Sequence, residues 1–222
     1  LLSATLGATA LTRYLNIGAR GSLLGTPTLA RAKQAAYPAI SSRQDRKVKT
    51  QAVYGDPRHK TVHWRTLDLI DEPAKIAVLA VDAAARGARV LVVRNTVPAA
   101  TATLREVETQ TGSRGGDWLF MVGGISTLHH SRFSRQDRPL LDAAVQDQIG
   151  KQRFRSGGRI VIGTQTLEQS LDIDADLLVT DLCPMDVLLQ RLGRLHRHVR
   201  PTAEHPDDRR PPGFEQATAW VL

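Results

Sequence analysis

Three side chains near the end of the chain, Gln190, Arg194 and Arg197, stand at i, i+4 and i+7. Pro184 suits an early helical position because it needs no donor there, and on the helix that follows those three share one side. Met185, Leu188, Leu192 and Leu195 share the other, so the helix buries leucines and presents an amide with two guanidiniums. A guanidinium keeps its charge, and its fork matches phosphate oxygens. The ordinary use of such a pattern is a solvated basic face. A second set is His130, Ser131 and Arg132, next to His129. Imidazole, hydroxyl and guanidinium together can hold backbone phosphates without regard to base identity. Adjacent imidazoles point apart, and neither His59 nor His63 offers a spaced carboxylate set with them, so a metal site is not expected there.

These residues need strands and helices to hold them. The apolar runs 160–162, closed by Gly163, and 177–179 read as strands buried on both faces of a parallel sheet. Residues 88–93 form another such run, and strands are also expected at 61–67 and 117–122. Helices are expected at 73–86, 98–109 and 136–154, besides the one after Pro184. Asp71-Glu72-Pro73 reads as a helix start, a capping acid followed by proline in the first turn, and Gly87 as that helix's end. Alternating strands and helices argue for a parallel sheet covered on both faces, with ligands at the carboxyl ends of the strands. Asn95, His130 and Thr164 all fall there. Asn95 and Thr96 serve equally well as caps of the next helix.

Gln190-x-x-Gly193-Arg194-x-x-Arg197 resembles motif VI of superfamily 2 helicases, and the stretch 164–172, from Thr164 to Asp172, resembles their motif V. The closer resemblance is to the helicase-nuclease of type I CRISPR interference, through Thr-Gln-x-x-Glu-Gln-Ser-Leu-Asp-Ile-Asp and Gln-Arg-x-Gly-Arg-x-x-Arg-His. Ser170 stands where many RNA helicases carry glycine. The segment His129-His130-Ser131-Arg132-Phe133 is similar to that family's His-Ser-Arg-Phe, Arg94-Asn95-Thr96-Val97 to its motif IV, and Ser3-Ala4-Thr5 to its motif III. The resemblance implies a RecA-like parallel sheet flanked by helices, the second helicase domain of a P-loop NTPase type. It implies that Arg194 and Arg197 contact the phosphates of ATP held by a partner domain, with Gln190 helping to orient them. Asp172 would meet the nucleotide sugar or the motif VI arginines. Thr164, Gln165, Thr96, His130, Ser131 and Arg132 would grip single-stranded DNA, and Ser3 and Thr5 would couple the two sites. Movement would run 3′ to 5′, with Mg2+ at the other half and the CRISPR RNA-guided surveillance complex as partner.

The 222 residues carry a formal charge of +8 and a pI near 10.2, which favours a polyanionic partner. No apolar run approaches the roughly 18 residues of a membrane span. The single cysteine, Cys183, precludes an intrachain disulfide and agrees with a cytoplasmic setting. The start, Leu-Leu-Ser-Ala-Thr-Leu, reads as a cut piece and not as a signal peptide. No Gly-x-x-x-x-Gly-Lys-Ser/Thr loop and no His-Asp dipeptide occur in the sequence. The segment by itself is therefore expected neither to hydrolyse ATP nor to carry the family's nuclease site. The expected domains are a remnant of the first RecA-like domain at 1–25, a connector at 26–70, the second RecA-like domain at 71–198, and a linker at 199–222 whose end opens a strand of a further domain. An RNA or DNA-repair helicase of the same superfamily, and a non-catalytic nucleic-acid-binding RecA-like module, are the competing assignments.

Overall fold

The computed structural model describes residues 8–19, 21, 24–35, 39–53, 60–112, 118–151, 157–168, 171–201 and 206–222. Ser3, Thr5 and Ser170 lie outside the described residues. Two compact units divide the chain, Leu1–His59 and Lys60–Leu222.

In the first unit, helices α1 (Ala8–Asn16) and α2 (Leu29–Gln34) precede an antiparallel pair, β1 (Ala39–Gln44) and β2 (Lys47–Ala52). The basic run at 41–49, expected to be part of a connector, is most of this hairpin. Asp45 takes the turn at φ 52°, a left-handed conformation that a short polar side chain tolerates.

The second unit is built on five parallel strands, β3 (Val62–Thr66), β4 (Arg89–Val93), β7 (Arg159–Gly163), β8 (Leu177–Thr180) and β9 (Ala217–Val221). Across the sheet they run in the order β3-β9-β8-β4-β7. Every residue of β4 is buried, because helices cover both sides of it. Val90, Val92, Ile160, Ile162, Leu177 and Val179 face α3 (Pro73–Ala85) and α4 (Val97–Thr111), packing on Ile76, Ala80, Ala100 and Val107. Leu91, Val93, Val161 and Leu178 point the other way, to Leu141, Val145 and Ile149 of α5 (Asp137–Ile149) and to Leu195. Each such side chain contributes about 1.5–3 kcal/mol by leaving water. The alternation fixes the register, since a slip of one residue would exchange the two faces.

Helix boundaries follow local chemistry. Glu72 precedes α3 without a side-chain cap bond; its carboxylate holds Lys75 instead, and Pro73 fills the first turn as expected. Gly87, at φ 90°, ends that helix. Thr96 caps α4, its Oγ1 accepting from the Ala99 amide at 3.2 Å. Helix α5 stops at Gly150, short of the expected 154.

Three expectations are corrected. The strand expected at 117–122 is interrupted: Leu119 bridges Ile160, the chain turns through the short hairpin β5 (Met121–Val122) and β6 (Ile125–Ser126), and it rejoins the sheet where His129 bridges Gly163. Gly123 and Gly124, both at positive φ, make that turn. Second, 217–222 does not open a further domain: β9 lies between β3 and β8, in register with both. This also draws 62–66 out of the expected connector and into the sheet. Third, the described part of 199–213 is no free linker. Arg200 donates to Asp174 at 2.6 Å and also pairs with Asp208, while Arg210 reaches Asp174 at 2.9 Å and Asp176 at 2.8 Å. These charges are buried or nearly so. They fasten the segment against the start of β8.

Candidate functional site

The carboxyl ends of β4, β7 and β8 lead into three loops that meet. Asp181, after β8, is the anchor: its carboxylate accepts from Arg94 Nε at 2.6 Å and from the Asn95 amide at 2.6 Å. Arg94 also donates to Thr103 Oγ1 at 2.7 Å and to the Ile70 carbonyl at 2.6 Å. All its ends are engaged inside the fold, so this arginine of the motif IV segment positions its loop and is not open to a ligand. Asn95 donates to the Leu182 carbonyl, and Gln165, in the 3₁₀ turn Gln165–Glu168 after β7, donates to the Asn95 carbonyl at 2.8 Å.

Helix α6 spans Met185–Leu192, and Gly193 caps it. The single helical face expected for Gln190, Arg194 and Arg197 is therefore corrected, because the last two lie past the helix end. Leu195 pairs with Ala175 as an isolated bridge, and burial of Leu195 turns the chain away from the helical path. Met185, expected on the buried side, is exposed, whereas Leu188 and Leu195 are buried. Lys60 Nζ donates to the Leu192 and Leu195 carbonyls at 2.7 and 2.8 Å, satisfying acceptors that a helix end leaves open.

The arginines of this turn have distinct environments. Arg194 is 8% exposed and donates to the backbone carbonyls of Leu171 and Glu168. Among the described residues no carboxylate pairs with it, and its Nε is buried without a hydrogen-bond partner. Burial, then the neighbouring Arg197 charge, lowers its pKa. Arg197 pairs with Asp172 at 2.7 Å, the two side chains being 43% and 40% exposed. An exposed pair of this kind is worth at most about 1 kcal/mol and yields readily to a competing anion. His198 shares the same Asp172 oxygen at 2.9 Å. Arg191, whose charge within the motif VI wording pointed only to a polyanionic partner, is the most embedded of the set, 1% exposed and bonded to Glu168 at 2.8 Å and Thr180 at 2.6 Å. Only its place between Gln190 and the leucine side of the helix hinted at an inward course.

Of the residues expected to meet nucleic acid, Thr96, Gln165, Ser131 and Arg132 are exposed and His130 is half-buried. Thr164 is 2% exposed and gives its amide to the His129 carbonyl at 2.9 Å, so its side chain faces inward. Thr96 uses its hydroxyl as a helix cap. His130 stacks on Phe133 with ring centroids 4.5 Å apart, and its Nδ1 accepts from the Arg132 amide at 3.2 Å. Burial, then the Arg132 charge, lowers its pKa and keeps it neutral near pH 7. His129 is fully buried, with Nε2 on Asp142 at 2.7 Å and Nδ1 on Thr166 at 2.8 Å. Burial lowers its pKa, which the Asp142 bond opposes. It latches the 129–133 loop to α5 and to the turn after β7. Gly163 makes this approach feasible, since a Cβ there would collide with the His129 carbonyl and the Leu167 side chain.

Below the site, burial pushes the Asp174 carboxyl up, but Arg210 and Arg200 outweigh it and hold the group under the usual carboxylate range. Burial and the Arg210 charge bring His196 down to about 4. Among the described residues no group of three or more His, Cys, Asp or Glu side chains is arranged to hold a metal, and no helix is long and apolar enough to cross a membrane.

Residues 86–200 match the family model of the C-terminal region of the CRISPR-associated nuclease/helicase Cas3. The CRISPR-associated endonuclease/helicase Cas3 of Escherichia coli K12 is 47% identical over 95 residues, covering 43% of this chain and 10% of that protein. Its counterpart in Thermus thermophilus is 45% identical over 102 residues, covering 45% and 11%. The matched segments thus span about a tenth of the length of these relatives. The crystal structure of T. fusca Cas3-ATP superposes over 100% of this chain and 26% of its own, with a TM-score of 0.74 and 26% identity. A chain of a CRISPR RNA-guided surveillance complex in its pre-nicking state does so over 100% and 27%, with a TM-score of 0.70 and 29% identity.

Proposed function

Because the chain belongs to the family of the C-terminal region of the CRISPR-associated nuclease/helicase Cas3, we propose that it is the carboxyl-terminal motor half of an ATP-dependent 3′–5′ single-stranded DNA translocase acting in CRISPR interference in the cytoplasm. ATP and Mg2+ are held mainly by a first RecA-like domain with a phosphate loop. Arg194 and Arg197 approach the nucleotide's phosphates from this half, Gln190 orients them, and Asp172 holds Arg197 until the cleft closes. The observation that carries this reading is the pairing of Arg197 with Asp172 across a half-exposed contact, at the end of a turn whose other arginine has no carboxylate partner among the described residues. A guanidinium so weakly held is ready to exchange its carboxylate for phosphate oxygens, and such arginines contribute on the order of a thousandfold or more to phosphoryl transfer.

Gln165, Thr96, His130, Ser131 and Arg132 grip the strand at the carboxyl edge of the sheet. Thr164, with its side chain buried and its amide bonded to the His129 carbonyl, serves the same grip by holding the 129–133 loop against the turn after β7. The neutral imidazole stacked on Phe133 offers a flat surface for a base, and Arg132 a charge for the adjoining phosphate. Ser3 and Thr5 couple the two sites, and the guided surveillance complex supplies the target; the likeness to a chain of such a complex supports that partner. In the full-length protein, Arg197→Ala is expected to lower ATP turnover by about a thousandfold while leaving single-stranded DNA affinity nearly intact. Equal ATPase rates for variant and parent would refute the assignment.

A further inference from the structure

We propose that Arg191 and Glu168 are positioning residues that tie the strand-gripping loops to the nucleotide-facing arginines, so that bound single-stranded DNA sets the rate of ATP turnover; the inference rests on the reading above. Arg191 lies within the same Gln-Arg-x-Gly-Arg sequence as Arg194 but points inward, and its guanidinium touches all three loops. Nε donates to Glu168 in the turn after β7 at 2.8 Å. One terminal nitrogen donates to Thr180 Oγ1 at 2.6 Å and to the Asp181 carbonyl at 3.1 Å, at the end of β8. The other donates to Asn95 Oδ1 at 3.0 Å, at the end of β4.

Gln165, expected to feel the strand, and Arg194, expected to serve ATP, attach to this hub from opposite sides. Gln165 stands three residues before Glu168 and is bonded to the Asn95 backbone, so a strand that draws on Gln165 moves two of the Arg191 acceptors together. On the other side, the Glu168 carbonyl accepts from Arg194. A shift of Glu168 therefore displaces the support of Arg194, and through it the turn that carries Arg197. Contacts inside a buried network are costly to leave unmade, so its members move as a unit. The guanidinium's planar fork reaches its acceptors in fixed directions; a lysine, with one point charge, cannot span them.

The test uses the full-length protein with two substitutions, Arg191→Lys and Asn95→Ala. The second removes the outermost acceptor, together with the Asn95 donor to the Leu182 carbonyl, and leaves the buried ion pair with Glu168 in place. ATPase kcat and KM are measured with and without a single-stranded oligonucleotide, together with its Kd and the melting temperature. The acceleration of kcat by DNA is expected to fall about tenfold in Arg191→Lys and about threefold in Asn95→Ala, a range usual for substitutions along a coupling network. KM for ATP and Kd for DNA are expected to stay within about twofold. Full acceleration in both variants overturns the proposal. A parallel loss of DNA affinity, turnover and melting temperature in both also overturns it, since it marks a merely structural role. Parent protein whose ATPase does not respond to DNA at all overturns the functional reading itself, an outcome seen before any variant is compared.

Discussion

The buried charge cluster beneath β8 yields a sharp stability prediction. Asp174 is wholly buried and accepts from Arg200 and Arg210 at once, at 2.6 and 2.9 Å, with the His198 amide at 3.4 Å. Asp174→Asn keeps the shape but removes the charge and turns one acceptor oxygen into a donor nitrogen facing a guanidinium. Breaking a buried ion pair on one side costs about 3–5 kcal/mol. Arg200 keeps Asp208, and Arg210 keeps Asp176, so the low end, about 3 kcal/mol, applies. For a unit of this size that is a fall of about 6–12 °C in melting temperature, a large share of the about 5–15 kcal/mol that holds a domain together. Thermal unfolding followed by circular dichroism measures it. The folded-state pKa of Asp174 is lowered, so its stabilisation is present above the ordinary carboxylate pKa and is lost as pH falls through the folded value. The loss of stability below about pH 4 should accordingly be shallower in the variant than in the parent. A melting point within about 2 °C of the parent, taken as the smallest meaningful shift, would refute the idea that these charges fasten the described part of 199–213 to the sheet.

Two further outcomes follow from single positions. Gly163→Ala sets a methyl against the His129 carbonyl and the Leu167 side chain, so it should destabilise by about 1–3 kcal/mol in urea unfolding and, by shifting the 129–133 loop, weaken single-stranded DNA binding in the full-length protein. Wild-type affinity would show that the loop's approach to β7 is irrelevant to binding. His196, half-buried with its Nε2 shielded from solvent and brought down to about 4 in the folded protein, is protonated less readily there than in the unfolded chain, so stability declines as pH falls from about 6.5 toward that value. His196→Asn, which tolerates the φ of 41° at this position, should flatten that decline in melting temperature between about pH 6.5 and 4; an unaltered slope would place the effect elsewhere.

Much was legible from the sequence because it was written in local terms. The apolar runs 160–162 and 177–179 could only be strands covered on both faces, and Pro73, Gly87 and Thr96 mark helix ends through their own backbone chemistry. The spacing of Gln190, Arg194 and Arg197, with the motif V wording before it, was enough to find the family, since residue types in order survive without knowledge of shape.

What the sequence left open depends on contacts between distant residues. The alternation in Ala-Thr-Ala-Trp-Val permits a strand anywhere, and only pairing with β3 and β8 decides that 217–221 completes this sheet. The charged, proline-rich stretch before it reads as solvated until Arg200, Asp208 and Arg210 meet Asp174 and Asp176. Helical periodicity places Arg194 and Arg197 on one face, but burial of Leu195 against Ala175 ends the helix first and gives the two arginines different surroundings. Local pattern determines which elements form and which side chains can bear charge. Tertiary packing alone decides which guanidinium is locked inside, as Arg191 is, and which stays half-exposed, as Arg197 does, because the cost of burying a charge depends on partners that the chain brings from far away.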